Sequence, residues 1–211
     1  MKVVILAGGL GTRISEESQF KPKPMVELGG MPILWHIMKL YDYYGFRDFI
    51  ICAGYKQHVI KAYFADYFLH TSDITCDFTN GTNEMTIHRS TSERWKVTVV
   101  DTGLNTMTGG RLKRVQDYIG EHGSVRSFRE KNASDGASIN AGFMVFQPEI
   151  FQYLQNDTTI LETEPLEKLA EEGHLMSYQH SGFWQCMDTV REKELLEKLW
   201  AGGQAPWKVW R

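Results

Sequence analysis

Cysteine is scarce in this chain of 211 residues, and the positions of the three that occur argue against two kinds of site. Cys52, Cys76 and Cys186 are odd in number and far apart, with no C-x-x-C pair among them. This spacing argues against a disulfide framework and against a zinc site, and it favours a reduced, cytoplasmic protein. Cys52 stands in the apolar run FIICAGY, which favours a packed thiol over a reactive one.

Long apolar runs and a strong net charge are also lacking. No stretch approaches the length of a transmembrane helix, and the N-terminal run VVILAGG is too short for a signal peptide, so a soluble protein is expected. The net charge of −3 argues against a nucleic-acid binder that works by bulk electrostatics, although it leaves room for a local anion site. The seven histidines show no H-E-x-x-H or similar metal-ligand spacing.

The apolar pattern predicts alternating strands and helices. Residues 3–7, 49–53 and 97–100 are short apolar runs typical of buried parallel strands. Helical periodicity follows the first two runs, and residues 165–172 and 191–200 are predicted as later helices. This order predicts an α/β protein with a parallel sheet. The polar stretch from Asp73 to Trp95 is interpreted as a hairpin or other excursion.

A glycine-rich loop follows the first strand in the stretch LAGGLGTR. Such a loop lets backbone N–H groups point at an anion, and ligands collect at the carboxyl ends of parallel strands. The stretch differs from a dinucleotide-binding fingerprint, because Ile14 replaces the third glycine, and from a Walker A loop, which ends in Gly-Lys-Ser/Thr. We therefore predict a phosphate site of another type, with Arg13 as its first basic residue.

Two further positive charges arrive in the stretch KPKPMVEL. Lys21 and Lys23 each precede a proline, which favours an extended backbone. Lysines two apart on an extended arm send their side chains the same way, so both ammonium groups are expected over a polyphosphate. The alternative is a solvated basic loop whose prolines only shape a connection.

Together, LAGGLGTR and KPKPMVEL resemble the signature of the sugar-1-phosphate nucleotidyltransferases, which make nucleotide-sugars from a sugar 1-phosphate and a nucleoside triphosphate. Within that family, PILWHIM, GYKQHVIKAYF, WKVTVVDTG, TMTGGRLKRV and GFWQCMDT resemble the branch that joins CTP to glucose 1-phosphate and releases pyrophosphate. The resemblance implies an α/β fold with three layers and a doubly wound, mostly parallel, Rossmann-like sheet. It implies one domain with a nucleotide-binding part at 1–123 and a sugar-phosphate-binding and C-terminal part at 124–211. It also implies Mg²⁺, a homo-oligomer and a role in deoxysugar synthesis for bacterial surface polysaccharide.

The resemblance assigns the nucleotide side of the site to the glycine loop and the segments near it. Arg13 would neutralise the departing pyrophosphate and Lys23 would contact the phosphates at the reacting centre. Thr106 and Arg111 of TMTGGR would join them, although the alternative for Arg111 is a cation on a helix surface. The loop residues implied to bind the nucleotide are Leu6, Ala7, Gly8, Gly9, Leu10, Gly11 and Thr12.

The sugar phosphate is assigned to three later residues. By resemblance, Glu130 would accept hydrogen bonds from sugar hydroxyls, Lys131 would meet the phosphate, and Asn140 would be a further sugar contact. The family usually has proline after that lysine, whereas this chain has Asn132, so the local backbone is expected to differ.

Asp188 of GFWQCMDT matches a magnesium-ligand position of the family. Without the family context, an aspartate before a helical stretch is more typical of a helix N-cap. The family typically has proline where this chain has Cys186.

An internal block of the family pattern is missing between Gly123 and Ser124. Relatives carry there a strand ending in Tyr-Gly-Asp-Gly, a helix and a further strand. The aspartate of that turn is the family's other magnesium ligand, and this chain contains no Gly-Asp-Gly. We therefore expect a sheet without a central strand–helix–strand portion, and weaker magnesium binding.

Two functions are consistent with this sequence. The first is nucleotidyl transfer from CTP to glucose 1-phosphate, and the alternative is a non-catalytic protein that binds a nucleotide or nucleotide-sugar. A nicotinamide-dependent enzyme is disfavoured by Ile14 and by Ala53-Gly54-Tyr55, where an acidic residue would be needed.

Overall fold

A computed structural model describes residues 1–12, 20–119 and 140–210 of the chain. The strands are β1 (Val3–Ala7), β2 (Glu27–Leu28), β3 (Met31–Pro32), β4 (Asp48–Ala53), β5 (Ser72–Asp77), β6 (Glu84–Ser90) and β7 (Lys96–Asp101). The helices are α1 (Ile33–Tyr43), α2 (Gln57–His70), α3 (Thr108–Arg114), α4 (Gln116–Ile119), α5 (Glu164–Glu171) and α6 (Val190–Ala201), with 3₁₀ turns at Lys23–Met25 and Pro148–Gln152. In this part of the chain, no helix has both the length and the apolar character needed to cross a membrane.

The central sheet is parallel and runs in the order β1–β4–β7. Ile5 of β1 pairs with Ile51 of β4, which in turn pairs with Val99 of β7. The three predicted strands are therefore confirmed and lie side by side. Their carboxyl ends meet at one edge, which is where the loop after β1 begins.

Apolar side chains cover both faces of this sheet, as a doubly wound sheet requires. One face packs against α1 and α2, and the other packs against α3, α5 and the turn at Pro148–Gln152. The first core consists mainly of Val3, Phe49, Ile51, Leu34, Met38 and Ile60. The second consists mainly of Ile50, Cys52, Leu112, Val115, Ile150, Leu154, Leu161 and Leu169.

A third, smaller apolar cluster ties the C-terminal part of the chain to the segment after Lys23. Val26 and Leu28 pack with Met187 and with Leu196 of α6. Met187 is 5% exposed, so the residue directly before Asp188 is anchored in this cluster. The cluster therefore determines where Asp188 enters the fold.

The predicted excursion between residues 73 and 95 is confirmed as an antiparallel hairpin of β5 and β6. Its residues alternate between two exposed faces, since side chains two apart on a strand point the same way. Ile74 pairs with Ile87 and Cys76 pairs with Met85, so one face of the hairpin is apolar. Ile74, Met85 and Ile87 are each more than 40% exposed.

Cys52 is the thiol that we expect to resist chemical labelling. It is fully buried in β4, and burial raises its pKa to about 12, so it stays protonated at pH 8, where the thiolate is the reactive form. Cys76 is exposed on the hairpin. Labelling of the native protein with a disulfide reagent at pH 8 should leave Cys52 unmodified until the protein unfolds, as read by mass spectrometry of the peptides. Cys76→Ser should show the same protection of Cys52, and a label on Cys52 in native protein would contradict the expectation.

Candidate active site

The glycine loop leaves the sheet at the carboxyl end of β1. The Gly8 carbonyl accepts a hydrogen bond from the Tyr55 N–H at 3.2 Å, which joins this loop to the segment after β4. Gly11 has a φ of +67°, a backbone conformation that glycine adopts without strain. The loop therefore turns over the sheet edge within a few residues of β1.

A cavity of about 250 Å³ lies against this loop. Most of the residues that line it were assigned to the site from the sequence. They are Leu6, Ala7, Gly9, Gly11, Thr12, Lys23, Pro24 and Asp188. The structure thus brings the glycine loop, the predicted catalytic lysine and the predicted metal ligand to one place. Leu10 is half exposed at the same loop.

Lys23 and Asp188 meet at this cavity as an ion pair, although they lie 165 residues apart in the sequence. Their side chains are 36% and 20% exposed, so both remain reachable from solvent. Lys23 opens a 3₁₀ turn, and Asp188 lies two residues before α6. The pair joins the two parts of the chain that the sequence assigned to nucleotide and to sugar phosphate.

The expectation that Lys21 and Lys23 point the same way is wrong. Lys21 forms an ion pair with Glu27 at 2.6 Å, whereas Lys23 reaches Asp188. The backbone is extended at Pro22 but turns into the 3₁₀ conformation at Lys23, so the two-residue alternation of an extended arm does not apply.

Arg111 lies beneath the glycine loop and bonds to the segments that follow β1 and β7. It is only 5% exposed, so the alternative of a cation on a helix surface is wrong. Nη1 donates to the Thr102 hydroxyl at 2.8 Å and to the Gly103 carbonyl at 2.7 Å. Nη2 donates to the Gly8 carbonyl at 3.0 Å and to the Leu104 carbonyl at 3.1 Å. Burial lowers the pKa of Arg111, which reflects the cost of removing a guanidinium from water.

Arg111 also explains two of the glycines at the strand ends. A Cβ placed on Gly8 would lie 2.0 Å from Nη1 of Arg111, and one placed on Gly54 would lie 2.5 Å from the same atom. Both distances are far shorter than a van der Waals contact. Gly8 is therefore needed because Arg111 lies there, whereas a Cβ on Gly54 would also lie 2.7 Å from the Gly103 carbonyl and 2.8 Å from the Gly8 carbonyl.

The remaining residues that the sequence predicted for the site either do not line the cavity or lie outside the described part of the chain. Thr106 is 7% exposed, and its hydroxyl lies 2.7 Å from where a Cβ on Gly103 would be, so it packs at the turn after β7. Asn140 is exposed, and its Oδ1 accepts the Gly142 N–H at 2.9 Å rather than lining the cavity. Arg13, Glu130 and Lys131 lie outside the described residues.

Glu192 contacts the backbone of Asp188, which the reasoning from sequence missed. Its carboxylate accepts hydrogen bonds from the N–H groups of Asp188 and Thr189, and from the Cys186 thiol. Thr189, not Asp188, is the N-cap of α6, and it forms a capping box with Glu192. The signal was present in the sequence, since Thr-x-x-Glu before a helix is the capping-box pattern.

For magnesium, the cavity offers one carboxylate. Within residues 1–12, 20–119 and 140–210, no group of three or more His, Cys, Asp or Glu side chains is placed to hold a metal ion. Magnesium at nucleotide sites is held by one or two carboxylates together with substrate phosphates. Asp188 therefore fits as a single protein ligand that depends on phosphate for the rest of the coordination shell.

The fold and the site define a class of protein. Residues 3–104 match the model of the MobA-like NTP transferase domain. This match contains the glycine loop, Lys23 and all three strands of the parallel sheet. The class is thus that of enzymes with a nucleoside-triphosphate transferase domain.

Curated relatives identify the family more closely. The chain is 48% identical to the glucose-1-phosphate cytidylyltransferase of Salmonella typhimurium strain LT2, over 258 aligned positions that cover 100% of both chains. It is 39% identical to the probable glucose-1-phosphate cytidylyltransferase of Bacillus subtilis strain 168, with the same coverage. The chain belongs to the glucose-1-phosphate cytidylyltransferase family. Because 258 aligned positions contain only 211 residues of this chain, at least 47 positions have no residue here, which agrees with the predicted internal loss.

A solved structure supports the fold. The chain matches a structure of apo-UDP-glucose pyrophosphorylase with a TM-score of 0.65 at 14% identity, over 97% of this chain and 100% of that one. The predicted Rossmann-like nucleotidyltransferase fold is therefore confirmed.

Replacing Arg111 should destabilise the protein far more than replacing its neighbour Arg114. Arg111→Met removes the charged donor from the Gly8, Gly103 and Leu104 carbonyls, and a hydrogen bond to a charged group contributes about 1.5–3 kcal/mol, so a loss of about 3 kcal/mol or more is expected in the free energy of unfolding. Arg114 lies on the same helix, where it pairs with Asp157 in solvent, and an exposed pair is worth about 1 kcal/mol or less. Urea unfolding of both variants measures the difference. Equal losses would show that Arg111 does not stabilise the strand ends.

Proposed function

We propose that this chain transfers the cytidylyl group of CTP to glucose 1-phosphate, giving CDP-glucose and pyrophosphate. The observation that carries the proposal is the meeting of Lys23 and Asp188 at the glycine loop. The 48% identity to the Salmonella enzyme over both whole chains supports the choice of CTP and glucose 1-phosphate.

In this reaction a phosphate oxygen of glucose 1-phosphate attacks the α-phosphorus of CTP in line. The bond from the α-phosphorus to the bridging oxygen breaks, and pyrophosphate leaves with that electron pair. No covalent enzyme intermediate forms, so catalysis consists of positioning and of charge neutralisation. Lys23 suits the second task, because its ammonium group lies at the cavity and is partly exposed. Its partner in the protein, Asp188, is the anion that substrate phosphates would replace.

The glycine loop suits the first task. Gly9, Gly11 and Thr12 line the cavity with little side-chain bulk, so phosphates can approach the backbone closely. We assign the remaining nucleotide side to Arg13, Thr106 and Arg111. In this assignment Thr106 acts from the segment between β7 and α3, and Arg111 acts from α3 beneath the loop.

The sugar phosphate is assigned to Glu130, Lys131 and Asn140 on the strength of the motif. We propose that residues 1–123 hold the nucleotide and that residues 124–211 hold the sugar phosphate and complete the site. The contact of Lys23 with Asp188 supports this division, since it joins the two parts at the cavity.

We also propose that the reaction uses magnesium and that Asp188 is a ligand of the ion. When bound, the ion would neutralise phosphate charge, and Asp188 is the ligand that the described chain offers at the cavity. Three free cysteines agree with a reduced, cytoplasmic setting. We place the product upstream of deoxysugar synthesis for a bacterial surface polysaccharide.

A second candidate follows from the single carboxylate at the cavity. A chain that kept the glycine loop but has one acidic ligand could bind CTP or a nucleotide-sugar without turning it over. The two functions differ in one observable, which is pyrophosphate release.

Pyrophosphate release from CTP and glucose 1-phosphate with magnesium tests the proposed reaction, with UTP and dTTP measured in parallel. We expect release that depends on CTP, and we expect Lys23→Ala to lower the turnover number about a hundredfold or more. Lys21→Ala is the matched control, because Lys21 has the same charge two residues away but pairs with Glu27 outside the cavity lining.

Each contrary result has a distinct meaning. No release together with retained CTP binding by calorimetry would support the binding protein and overturn the enzyme. Release that is equally reduced in Lys21→Ala and Lys23→Ala would contradict the special role of Lys23.

We also propose that the protein forms a homo-oligomer through the apolar face of the β5–β6 hairpin. That face is exposed, and an isolated two-stranded hairpin is marginally stable in water, so a second copy of the chain would stabilise it. The family resemblance supports a second copy over an unrelated partner.

Sedimentation velocity at micromolar concentration measures the assembly. Ile87→Lys should dissociate it, because the substitution places a charge on the apolar face. Thr86→Lys adds the same charge to the opposite face and should leave the assembly intact. A wild-type monomer, or equal dissociation by both variants, would contradict the proposed interface.

A further inference from the structure

Asp188 lies in a segment that has no regular secondary structure to hold it. Among the described residues from 174 to 189, neither helix nor strand occurs. The position of Asp188 therefore depends on contacts made by its neighbours. One of these is the packing of Met187 in the third apolar cluster, which fixes one side of the segment.

Glu192 supplies the contacts on the other side. Its Oε2 accepts the Asp188 N–H at 2.7 Å and the Thr189 N–H at 2.8 Å. Its Oε1 accepts the Cys186 thiol at 2.9 Å. A single carboxylate thus gathers three donors from the four residues 186–189, with Asp188 among them.

The charge of Glu192 suits this arrangement. Donors at both oxygens favour the ionised form, and they lower the pKa of Glu192 to about 2, with the Cys186 thiol as the largest contribution. The carboxylate therefore stays ionised at neutral pH. It lies in the first turn of α6, where negative charge also complements the helix dipole.

Lys23, Asp188 and Glu192 form one connected series. Lys23 lines the cavity and pairs with the Asp188 carboxylate, while Glu192 holds the Asp188 backbone. Glu192 is not among the residues that line the cavity, so it reaches the site only through its neighbours.

We propose that Glu192 is a positioning residue for the transfer reaction, which fixes Asp188 so that its carboxylate meets Lys23 at the cavity. The kinetic part of this inference rests on the proposed function, whereas the structural part concerns only the Lys23–Asp188 contact. Cys186 takes part as the third donor, through its thiol.

Two variants separate this role from simple capping of α6. Thr189→Ala removes the hydroxyl that accepts the Glu192 N–H at 3.3 Å, but it leaves the Glu192 carboxylate on the Asp188 N–H. Glu192→Ala removes the carboxylate half of the capping box and the acceptor of the Asp188 N–H, but it keeps the backbone N–H that donates to the Thr189 hydroxyl. Glu194→Ala, at an exposed position of the same helix, is the control for a lost negative charge.

Kinetics give the first readout. Glu192→Ala should lower the turnover number about tenfold or more, which is typical when a residue that orients a metal ligand is removed. Thr189→Ala and Glu194→Ala should stay within about twofold of wild type. Glu192→Ala placed on Asp188→Asn should add little further loss, because residues that act through one another are not additive. A full additive loss, or a wild-type rate in Glu192→Ala, would overturn the proposal.

Stability gives a second readout that does not need activity. The coupling between Lys23 and Asp188 is measured by urea unfolding of Lys23→Met, Asp188→Asn and the double variant, once with Glu192 present and once in Glu192→Ala. We expect the coupling to be lost only in Glu192→Ala, and to persist in Thr189→Ala. Coupling between Lys23 and Asp188 that survives in Glu192→Ala would overturn the positioning role, even if the chain proved inactive. If the wild type is inactive but the coupling is lost in Glu192→Ala as expected, only the proposed function is overturned.

Discussion

The burial of one guanidinium at the carboxyl edge of the sheet is the constraint on which the rest of this structure depends. Arg111 cannot leave water without acceptors, and it finds them in the chain segments that follow β1 and β7. Its presence leaves no room for a side chain at Gly8 or Gly54, so the loop after β1 and the turn after β4 take the paths that glycine allows. Gly9, Gly11 and Thr12 of that loop line the cavity, so the buried guanidinium supports the loop that forms one wall of the site.

The second half of the site depends on a small apolar cluster and not on the sheet. Val26 and Leu28 follow Lys23 in the chain, and Met187 precedes Asp188, so their packing brings the two charged residues within reach. A partly exposed ion pair contributes little stability by itself. Its value lies in placing an exchangeable anion beside a cation at a cavity where phosphates are expected. Glu192 completes this arrangement from the helix side, through backbone contacts that a list of cavity residues would miss.

Much of the fold follows from local pattern. The three parallel strands and the later helices were predictable because the spacing of their apolar residues matches a buried strand or one face of a helix. The glycine loop was predictable from its residue pattern after a strand, and Lys23 was assigned to the site by the family resemblance. The direction of Lys21 was not predictable, because the backbone turns at Lys23 and Glu27 offers a nearer partner. The burial of Arg111 was also hidden, because the run LKR that follows it contains two more cations and is equally consistent with a helix surface.

The sequence by itself determined the class of fold, the family and the residue types at the phosphate loop, since these depend on short motifs and on periodicity. Only the tertiary structure decided that Arg111 lies beneath the loop and that Lys23 faces Asp188. The reason is physical: a charged side chain takes whichever partner the packing of distant segments brings close, and 165 residues of chain separate Lys23 from Asp188. The local sequence specifies which charged side chains need a partner, and the packing of distant segments determines which partner each of them receives.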